Sequence, residues 1–285
     1  MKPAAFAYAK ARSLDHAIEL LADDTGETRV LAGGQSLMAT LNMRLSQPRL
    51  LVDINGVAGL DGIAITGSKE NRQVEIGAMV RQAMAERSAV IAEHAPLIAR
   101  ALPYIAHPAI RNRGTIGGSI AFADPAAELP ACLLALGGEV EIAGPAGRRT
   151  VAADAFFGGL FETALTSRDV LTSIRVPAAT DGQRAGFAEF ARRHGDYAMA
   201  GLAATAHVNG KGLAAIRLAF FGVGTTPRRA RNAEAALADD IDAAIAALAH
   251  DLDPPDDVQA SGALKKHLAG VLLRRVAAQL TEERA

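Results

Sequence analysis

Two glycine-rich stretches have the residue types that bind phosphate through the backbone. The first is Ala32-Gly33-Gly34-Gln35-Ser36, and the second is Gly114-Thr115-Ile116-Gly117-Gly118-Ser119. Glycine has no Cβ, so an anion can approach the main chain closely, and a positive φ angle costs little. A turn that exposes N–H groups at the start of a helix attracts anions. Two such turns predict a ligand with two phosphates and a long body, which describes a dinucleotide; two ordinary turns are the alternative.

Neither stretch matches the common nucleotide-binding motifs. The fingerprint G-x-G-x-x-G is absent from both, and so is the lysine that completes a P-loop. A Rossmann-type dehydrogenase and a nucleoside triphosphatase are therefore disfavoured. The spacing of the glycines does not identify the dinucleotide.

A small strand–helix–strand unit is predicted around the first stretch. Residues 28–32 favour a strand that ends at the glycine pair, Ser36 is placed to cap the following helix, and residues 50–54 favour the next strand. Residues 62–66 and 73–77 alternate in character around a polar turn, which predicts a β-hairpin.

The second stretch follows a predicted short helix that begins at Pro108 and ends at Gly114. Asp124 is placed to cap a helix over residues 125–136, and residues 139–142 favour a strand. Both glycine stretches are thus predicted at the junction between a strand or turn and a helix.

The remainder of the chain predicts a separate unit. Residues 178–184 are polar and contain a glycine, which indicates a domain boundary. Beyond it, residues 198–208 and 213–223 favour strands of an antiparallel sheet, and residues 232–249 and 259–280 favour helices.

Composition narrows the function classes. The 285 residues carry a formal net charge of −1, which disfavours a nucleic-acid-binding protein, because that would need a basic face. Cys132 is the single cysteine, so the chain cannot supply the ligands of an iron–sulfur cluster. No apolar run is long enough for a transmembrane helix, and residues 1–6 show no apolar core of a signal peptide, so a cytoplasmic protein is expected.

Five motifs, in order, resemble one family. They are Ala32–Leu37 (AGGQSL), Arg111–Ser119 (RNRGTIGGS), Asp124–Pro130 (DPAAELP), Leu171–Pro177 (LTSIRVP) and Gly195–Ala198 (GDYA). Together they resemble the FAD-binding medium subunit of molybdenum hydroxylases, the family of xanthine dehydrogenase and carbon monoxide dehydrogenase. The likeness extends over nearly the whole chain with similar gaps.

The resemblance implies cofactor-binding roles residue by residue. One set would wrap the FAD diphosphate: Ala32, Gly33, Gly34, Gln35 and Ser36 from the first stretch, and Thr115, Ile116, Gly117, Gly118 and Ser119 from the second. Another set would contact the rest of the cofactor: Glu128, or alternatively Asp124, at the ribityl chain, Ile105 and Ala106 beside the isoalloxazine, Leu171 at the flavin or adenine end, and Tyr197 near the ring system. No catalytic acid or base and no metal ligand is expected on this chain.

The resemblance also implies an α+β fold. A two-subdomain FAD-binding (PCMH-type) domain over residues 1–177, divided near residue 57, would precede a C-terminal domain over residues 178–285 with an antiparallel sheet and helices. Gln35 stands where flavoproteins with covalent flavin in a related fold can carry histidine, so non-covalent FAD is expected.

The function implied by the resemblance is electron transfer within a larger oxidoreductase. A large partner subunit would hold the molybdenum cofactor, and a small partner would hold two [2Fe–2S] clusters. FAD on this chain would pass electrons to an external acceptor, and the assembly would be a heterotrimer, doubled to a heterohexamer. A stand-alone FAD-dependent oxidoreductase of related fold and a nucleotide-binding regulatory module are the alternatives.

Overall fold

The computed structural model describes residues 2–22, 27–210 and 212–281. Met1, residues 23–26, Lys211 and residues 282–285 fall within the predicted domain ranges but lie outside the described residues. The chain begins with a three-stranded parallel sheet in the order β1-β3-β2. Its elements are β1 (Ala7–Lys10), α1 (Leu14–Leu21), β2 (Thr28–Leu31), α2 (Leu37–Asn42) and β3 (Leu50–Asp53).

The parallel arrangement of β2 and β3 places the first glycine stretch. Leu31 at the end of β2 is paired with Asp53 at the end of β3. Parallel strands end at the same edge of a sheet, so the residues that follow the two strands become neighbours. Ala32–Ser36 after β2 and Asn55 after β3 therefore meet at this edge, and Asn55 donates from Nδ2 to the Ala32 carbonyl oxygen at 2.9 Å.

A five-stranded antiparallel sheet follows, in the order β4-β5-β10-β6-β7, with a separate hairpin of β8 and β9. The strands are β4 (Ile63–Thr66), β5 (Gln73–Gly77), β6 (Glu139–Gly144), β7 (Gly147–Ala152), β8 (Phe157–Gly159), β9 (Glu162–Thr163) and β10 (Val170–Pro177). The helices that accompany this sheet are α3 (Gln82–Glu86), α4 (Ala89–His94), α5 (Pro96–Ala101), α6 (Pro108–Arg111), α7 (Ile116–Phe122), α8 (Glu128–Leu136) and α9 (Ala153–Phe156).

The helix predicted over residues 125–136 is shorter than expected. Asp124 Oδ1 accepts the Ala126 N–H at 2.9 Å, which forms a tight turn rather than a helix cap. Helix α8 begins only at Glu128, and Gly137 ends it with φ +63°. This later start makes Glu128, rather than Asp124, the acidic residue of the first helical turn.

The C-terminal part has a four-stranded antiparallel sheet in the order β11-β12-β13-β14, as predicted for its central strands. Its strands are β11 (Gln183–Phe190), β12 (Ala200–Asn209), β13 (Gly212–Phe221) and β14 (Arg228–Arg229), followed by α10 (Arg231–Leu237), α11 (Ile241–Asp251) and α12 (Gly262–Thr281). The helix predicted over residues 232–249 is two helices, because Asp240 accepts the Asp242 N–H at 2.7 Å and starts α11 anew.

The C-terminal sheet of β11–β14 shares a hydrophobic core with the central part of the chain. Phe187 of β11 packs against Tyr104 with a ring-centroid distance of 5.0 Å, and against Phe221 of β13 at 5.7 Å. Phe190, on the opposite face of β11, packs with the core formed by the C-terminal helices. One face of this sheet therefore fixes the position of the segment around Tyr197 relative to the glycine stretches.

Candidate functional site

The two glycine stretches lie in contact with each other. A Cβ added to Gly33 would stand 2.5 Å from the Arg113 carbonyl oxygen and 2.9 Å from the Gly114 Cα. A Cβ on Gly118 would be 3.8 Å from the Ala32 Cβ. The glycine at position 33 therefore permits a backbone-to-backbone approach that no other residue type allows. We call Ala32–Ser36 the first loop and Gly114–Ser119 the second loop.

The first loop has unused donors. Gly34 adopts φ +72°, in the left-handed region, and Gln35 donates from Nε2 to the Gly33 carbonyl oxygen at 3.0 Å. Among the described residues, no acceptor receives the backbone N–H of Gly33, Gly34, Gln35 or Ser36. Successive unpaired N–H groups in a turn with one left-handed residue form an anion nest. This loop is therefore suited to hold a phosphate.

Ser36 does not have the second role predicted for it. It precedes α2, but its side chain makes no capping hydrogen bond. Its hydroxyl instead interacts with the Tyr197 phenol. Burial, which is the largest influence on Tyr197, raises the pKa of that phenol, and the contact with Ser36 lowers it. The expectation that Ser36 caps α2 is wrong, because the hydroxyl is directed across to the C-terminal segment.

The second loop has its backbone engaged. The N–H of Ile116 donates to the Val80 carbonyl oxygen and that of Gly117 to the Ala78 carbonyl oxygen, both at 2.9 Å. Thr115 caps α7 by accepting the Gly118 N–H on Oγ1 at 3.1 Å. The expectation that the amides of Ile116 and Gly117 wrap a phosphate is therefore not met in this structure, because both are already paired. Its Thr115 and Ser119 hydroxyls keep the capacity to donate to a phosphate.

Gly117 is required by packing. A Cβ there would stand 2.5 Å from the Ala78 Cβ and 2.8 Å from its carbonyl oxygen. Ala78 in turn donates its N–H to the Thr172 carbonyl oxygen at 2.8 Å, in the strand that carries Leu171. Leu171 is buried in this layer, so the structure places it beneath the second loop rather than on an open surface.

Two carboxyl groups lie next to the loops at the start of α8. Glu128 is only 8% exposed, and burial raises its pKa to about 7, with a smaller contribution from the charge of Asp124. Burial also raises the pKa of Asp124. No side-chain donor among the described residues hydrogen-bonds to the Glu128 carboxyl group. A buried carboxyl group with no side-chain partner is suited to accept a hydrogen bond from a ligand hydroxyl.

A third carboxyl group was not found from the sequence. Glu189 on β11 has a buried Oε2 atom with no hydrogen-bond partner among the described residues. Burial, together with a smaller contribution from the charge of Glu128, raises the pKa of Glu189 to about 8, so the two groups are neighbours. Glu189 lies two residues after Phe187, on the same face of β11, which is the signal that could have located it. Full burial raises the pKa of Cys132, with smaller contributions from the charges of Glu128 and Glu189, which is consistent with a structural thiol.

Ile105 and Ala106 are held in place by a buried arginine. Arg111 donates from Nη1 to the Ile105 carbonyl oxygen at 2.9 Å and makes a two-pronged ion pair with Glu86, at 2.9 and 3.2 Å. Ala106 has φ +43°, which is strained for a residue with a side chain. The motif at residues 111–119 contains Arg111, but the motif alone does not indicate this contact. A fork-shaped cation on a short helix is the signal that predicts such a clamp.

Tyr197 approaches the site from the C-terminal part. Gly195 has φ +88°, and a Cβ there would stand 2.6 Å from the Ala106 carbonyl oxygen. The Tyr197 side chain interacts with Ser36 and lies near the charges of Asp124 and Glu128. Residue Tyr197 is 54% exposed, so it borders the site. The structure thus brings the two loops, the 105–106 segment, both carboxyls and Tyr197 together.

The donor set fits FAD. The first loop offers N–H groups for a diphosphate, Glu128 offers an acceptor for a sugar hydroxyl, and the exposed Tyr197 offers apolar surface for a ring. Among the described residues, no group of three or more His, Cys, Asp or Glu side chains could hold a metal ion. No helix in the described part of the chain is long and apolar enough to cross a membrane.

Comparisons with known proteins agree with this arrangement. The profile of the FAD binding domain in molybdopterin dehydrogenase matches residues 4–179, and that of the CO dehydrogenase flavoprotein C-terminal domain matches residues 185–280. The fold and the site therefore define a two-domain flavoprotein. The chain belongs to the family of FAD-binding medium subunits of molybdenum hydroxylases, and it is the flavoprotein subunit of an oxidoreductase.

Individual relatives are similar over almost their whole length. The 6-hydroxypseudooxynicotine dehydrogenase complex subunit alpha of Paenarthrobacter nicotinovorans is 39% identical over 98% of this chain and 95% of its own. The solved carbon monoxide dehydrogenase of Hydrogenophaga pseudoflava has a TM-score of 0.94 at 36% identity, with 98% of each chain covered. Quinoline 2-oxidoreductase of Pseudomonas putida 86 has a TM-score of 0.91 at 35% identity, covering 98% of each chain. The predicted family and fold class are confirmed.

Proposed function

We propose that this chain binds FAD without a covalent link and serves as the electron exit of a molybdenum hydroxylase. The observation that carries the proposal is the first loop, whose four successive N–H groups from Gly33 to Ser36 have no acceptor among the described residues. Four successive N–H groups without acceptors, one of them on the left-handed Gly34, favour a diphosphate over a neutral ligand. When bound, FAD supplies the redox chemistry, accepting electrons inside the complex and passing them to an external acceptor.

The chain's own residues bind and orient the cofactor. The first-loop amides hold the diphosphate, and the Thr115 and Ser119 hydroxyls support it from the second loop. Glu128 accepts a hydrogen bond from the ribityl chain, with Asp124 beside it. Ile105, Ala106 and Tyr197 border the isoalloxazine, and Leu171 supports the layer beneath. No residue of this chain acts as a general acid or base on the substrate.

The electrons come from partner subunits. Cys132 is the single cysteine and is fully buried, so the [2Fe–2S] clusters belong to a small partner, and the molybdenum cofactor belongs to a large one. Names of related subunits support this division, since they are medium chains or subunits of complexes. We propose an assembly of one large, one medium and one small subunit, doubled by a two-fold axis and located in the cytoplasm.

Substrate choice lies in the large partner under this proposal. Three relatives are named for 6-hydroxypseudooxynicotine, nicotine and caffeine, and two for carbon monoxide. N-heterocycles are therefore the first substrates to test, with carbon monoxide as the comparison.

The decisive experiment compares the full chain alone with the chain co-purified with its partner subunits. We expect the isolated chain to bind FAD but to turn over no substrate. In the complex, anaerobic substrate should bleach the flavin absorbance. Substrate turnover by the isolated chain would support a stand-alone oxidoreductase instead, and a chain without any affinity for FAD would refute the proposal altogether.

A further inference from the structure

Asn55 connects the first loop to the strand edge behind it. Its Nδ2 donates to the Ala32 carbonyl oxygen at 2.9 Å and to Asp53 Oδ1 at 2.6 Å, and its own N–H donates to Asp53 Oδ1 at 2.8 Å. Asp53 also accepts the Tyr8 hydroxyl on Oδ2. The Asn55 side chain is therefore fixed from both sides before any ligand binds.

Arg81 connects Asn55 to the second loop. Its Nη2 donates to Asn55 Oδ1 at 2.5 Å, and its Nη1 donates to the Arg113 carbonyl oxygen. Arg113 is the residue whose carbonyl oxygen faces Gly33. The backbone of the same segment pairs with the second loop, because Gln82 N–H donates to the Gly114 carbonyl oxygen at 2.9 Å.

A continuous polar connection therefore runs from one loop to the other, from the Ala32 carbonyl through Asn55 and Arg81 to the Arg113 carbonyl. We propose that Asn55 and Arg81 are positioning residues that hold the two loops at the spacing required by the FAD diphosphate. We call these two side chains the brace. This inference rests on the proposed function and adds residues to which neither the motifs nor the comparisons assign a role.

The physical basis is preorganisation. The loops carry groups that must point to one anion, and any freedom between them is lost when the ligand binds. The brace contacts also occupy the Ala32 carbonyl oxygen in the first loop and the Arg113 carbonyl oxygen just before the second loop, which keeps both oxygens turned away from the diphosphate. Burial lowers the pKa of Arg81, as does the nearby charge of Arg113, while Asp53 raises it. Arg81 stays a cation across the accessible pH range, so the brace does not open with pH.

The test is a double-mutant cycle in the full chain. The variants are Asn55→Ala, Arg81→Met and the double variant, with exposed Asn71→Ala and Arg100→Met as matched controls. The dissociation constant of FAD is measured by fluorescence titration of the apo chain. We expect each single variant to weaken FAD binding about tenfold, and the double variant also about tenfold, because the contacts lie in series. Controls should match the wild type.

A second readout separates failure of the brace from failure of the proposed function. Amide hydrogen exchange of Arg113–Gly118 in the apo chain should accelerate in the brace variants and stay unchanged in α12. Unaltered affinity and exchange in the singles, or a hundredfold loss in the double variant, would overturn the inference. If the wild type bound no FAD, the proposed function would fail, while exchange would still decide whether the brace holds the loops.

Discussion

The two glycine loops have similar composition but opposite hydrogen-bonding states. The first loop exposes N–H groups with no acceptor in the described part of the chain, whereas the second has its Ile116 and Gly117 amides paired with the 78–80 segment. Gly34 adopts a left-handed conformation, but Gly117 is needed because Ala78 leaves no room for a Cβ. One loop offers donors to a ligand, and the other forms the rigid wall against which that loop is held.

This comparison shows that a glycine motif predicts close approach without saying what approaches. At Gly33 the neighbour is the backbone of the other loop, at Gly117 it is a strand residue, and at Gly118 it is the Thr115 hydroxyl. A phosphate adds to this arrangement only where donors remain free. Valine substitutions at Gly117 and Gly33 separate the packing role of a glycine from its role in ligand binding.

The largest effect is expected for Gly117→Val. Its Cβ would stand 2.5 Å from the Ala78 Cβ and 2.6 Å from its Cα, and backbone cannot move aside as a flexible side chain can. We expect the apo chain to lose about 3 kcal/mol of stability or more, which overpacking at a rigid site costs. Thermal unfolding of the apo chain measures it. Gly158→Val is the control, since its nearest atom would be 3.9 Å away; equal melting temperatures would show that the second loop is not a packed wall.

Gly33→Val should affect ligand binding more than stability. The new side chain would push the Arg113 carbonyl oxygen away and so separate the two loops. We expect FAD affinity to fall about a hundredfold while the chain stays folded, because roughly 2.7 kcal/mol of binding depends on the spacing. The ratio of flavin to protein after desalting measures this loss. Gly62→Val, with open space around it, is the control, and a full complement of FAD in Gly33→Val would contradict the role of the first loop.

Much of this arrangement was predictable, for identifiable reasons. The strand before Gly33 and the hairpin of β4 and β5 follow from local alternation and turn residues, and the structure confirms them. The family and the fold class followed from five ordered motifs. Helix α1 begins after Ser13, whose hydroxyl accepts the His16 N–H, as a capping residue should.

Other features depend on contacts that are distant in sequence. Strand β7 reads GRRTVA and is almost entirely exposed, so it lacks the alternation that signals a strand. The Ala32–Asn55–Arg81 connection requires β2 and β3 to be parallel neighbours, which no local pattern states. The pairing of Gly117 with Ala78 similarly arises only when α7 folds against the segment after β5. Sequence therefore identified the loops but not which of their amides are free.

Glu128 lies beside both loops, so its carboxyl group could serve ligand binding, as the free amides of the first loop do, or packing, as the second loop does. Glu128 is buried with its pKa raised to about 7, so the folded state binds a proton that the unfolded state releases near pH 4.5. The contribution of Glu128 to the free energy of unfolding should therefore be fully present below pH 4.5 and decline as the pH rises to about 7. We expect Glu128→Gln to stabilise the apo chain at pH 8 by about 2 kcal/mol and to leave it unchanged at pH 4.

Urea unfolding of the apo chain at both pH values measures this difference. Glu139→Gln is a matched control on the open sheet face, where its carboxylate pairs with Arg175 at 3.5 Å. A stabilised Glu128→Gln chain with weaker FAD binding would mean that the carboxyl is retained for the ligand at a cost to stability, as the free amides of the first loop are. A destabilised variant would instead show that the Glu128 carboxyl group supports the packing around the second loop.

The smallest effect is expected for Thr115→Ala. Thr115 Oγ1 accepts the Gly118 N–H at 3.1 Å, so its removal frees one amide at the start of α7 and costs about 1 kcal/mol. Thr115→Ser keeps the hydroxyl and should match the wild type in thermal unfolding. FAD titration then sharpens the comparison: a phosphate that contacts the second loop through the Thr115 hydroxyl loses affinity in the alanine variant but not in the serine one. Unchanged affinity in both would show that the Thr115 hydroxyl does not contact the phosphate, and it would leave the Ser119 hydroxyl as the side-chain donor that the second loop offers to the ligand.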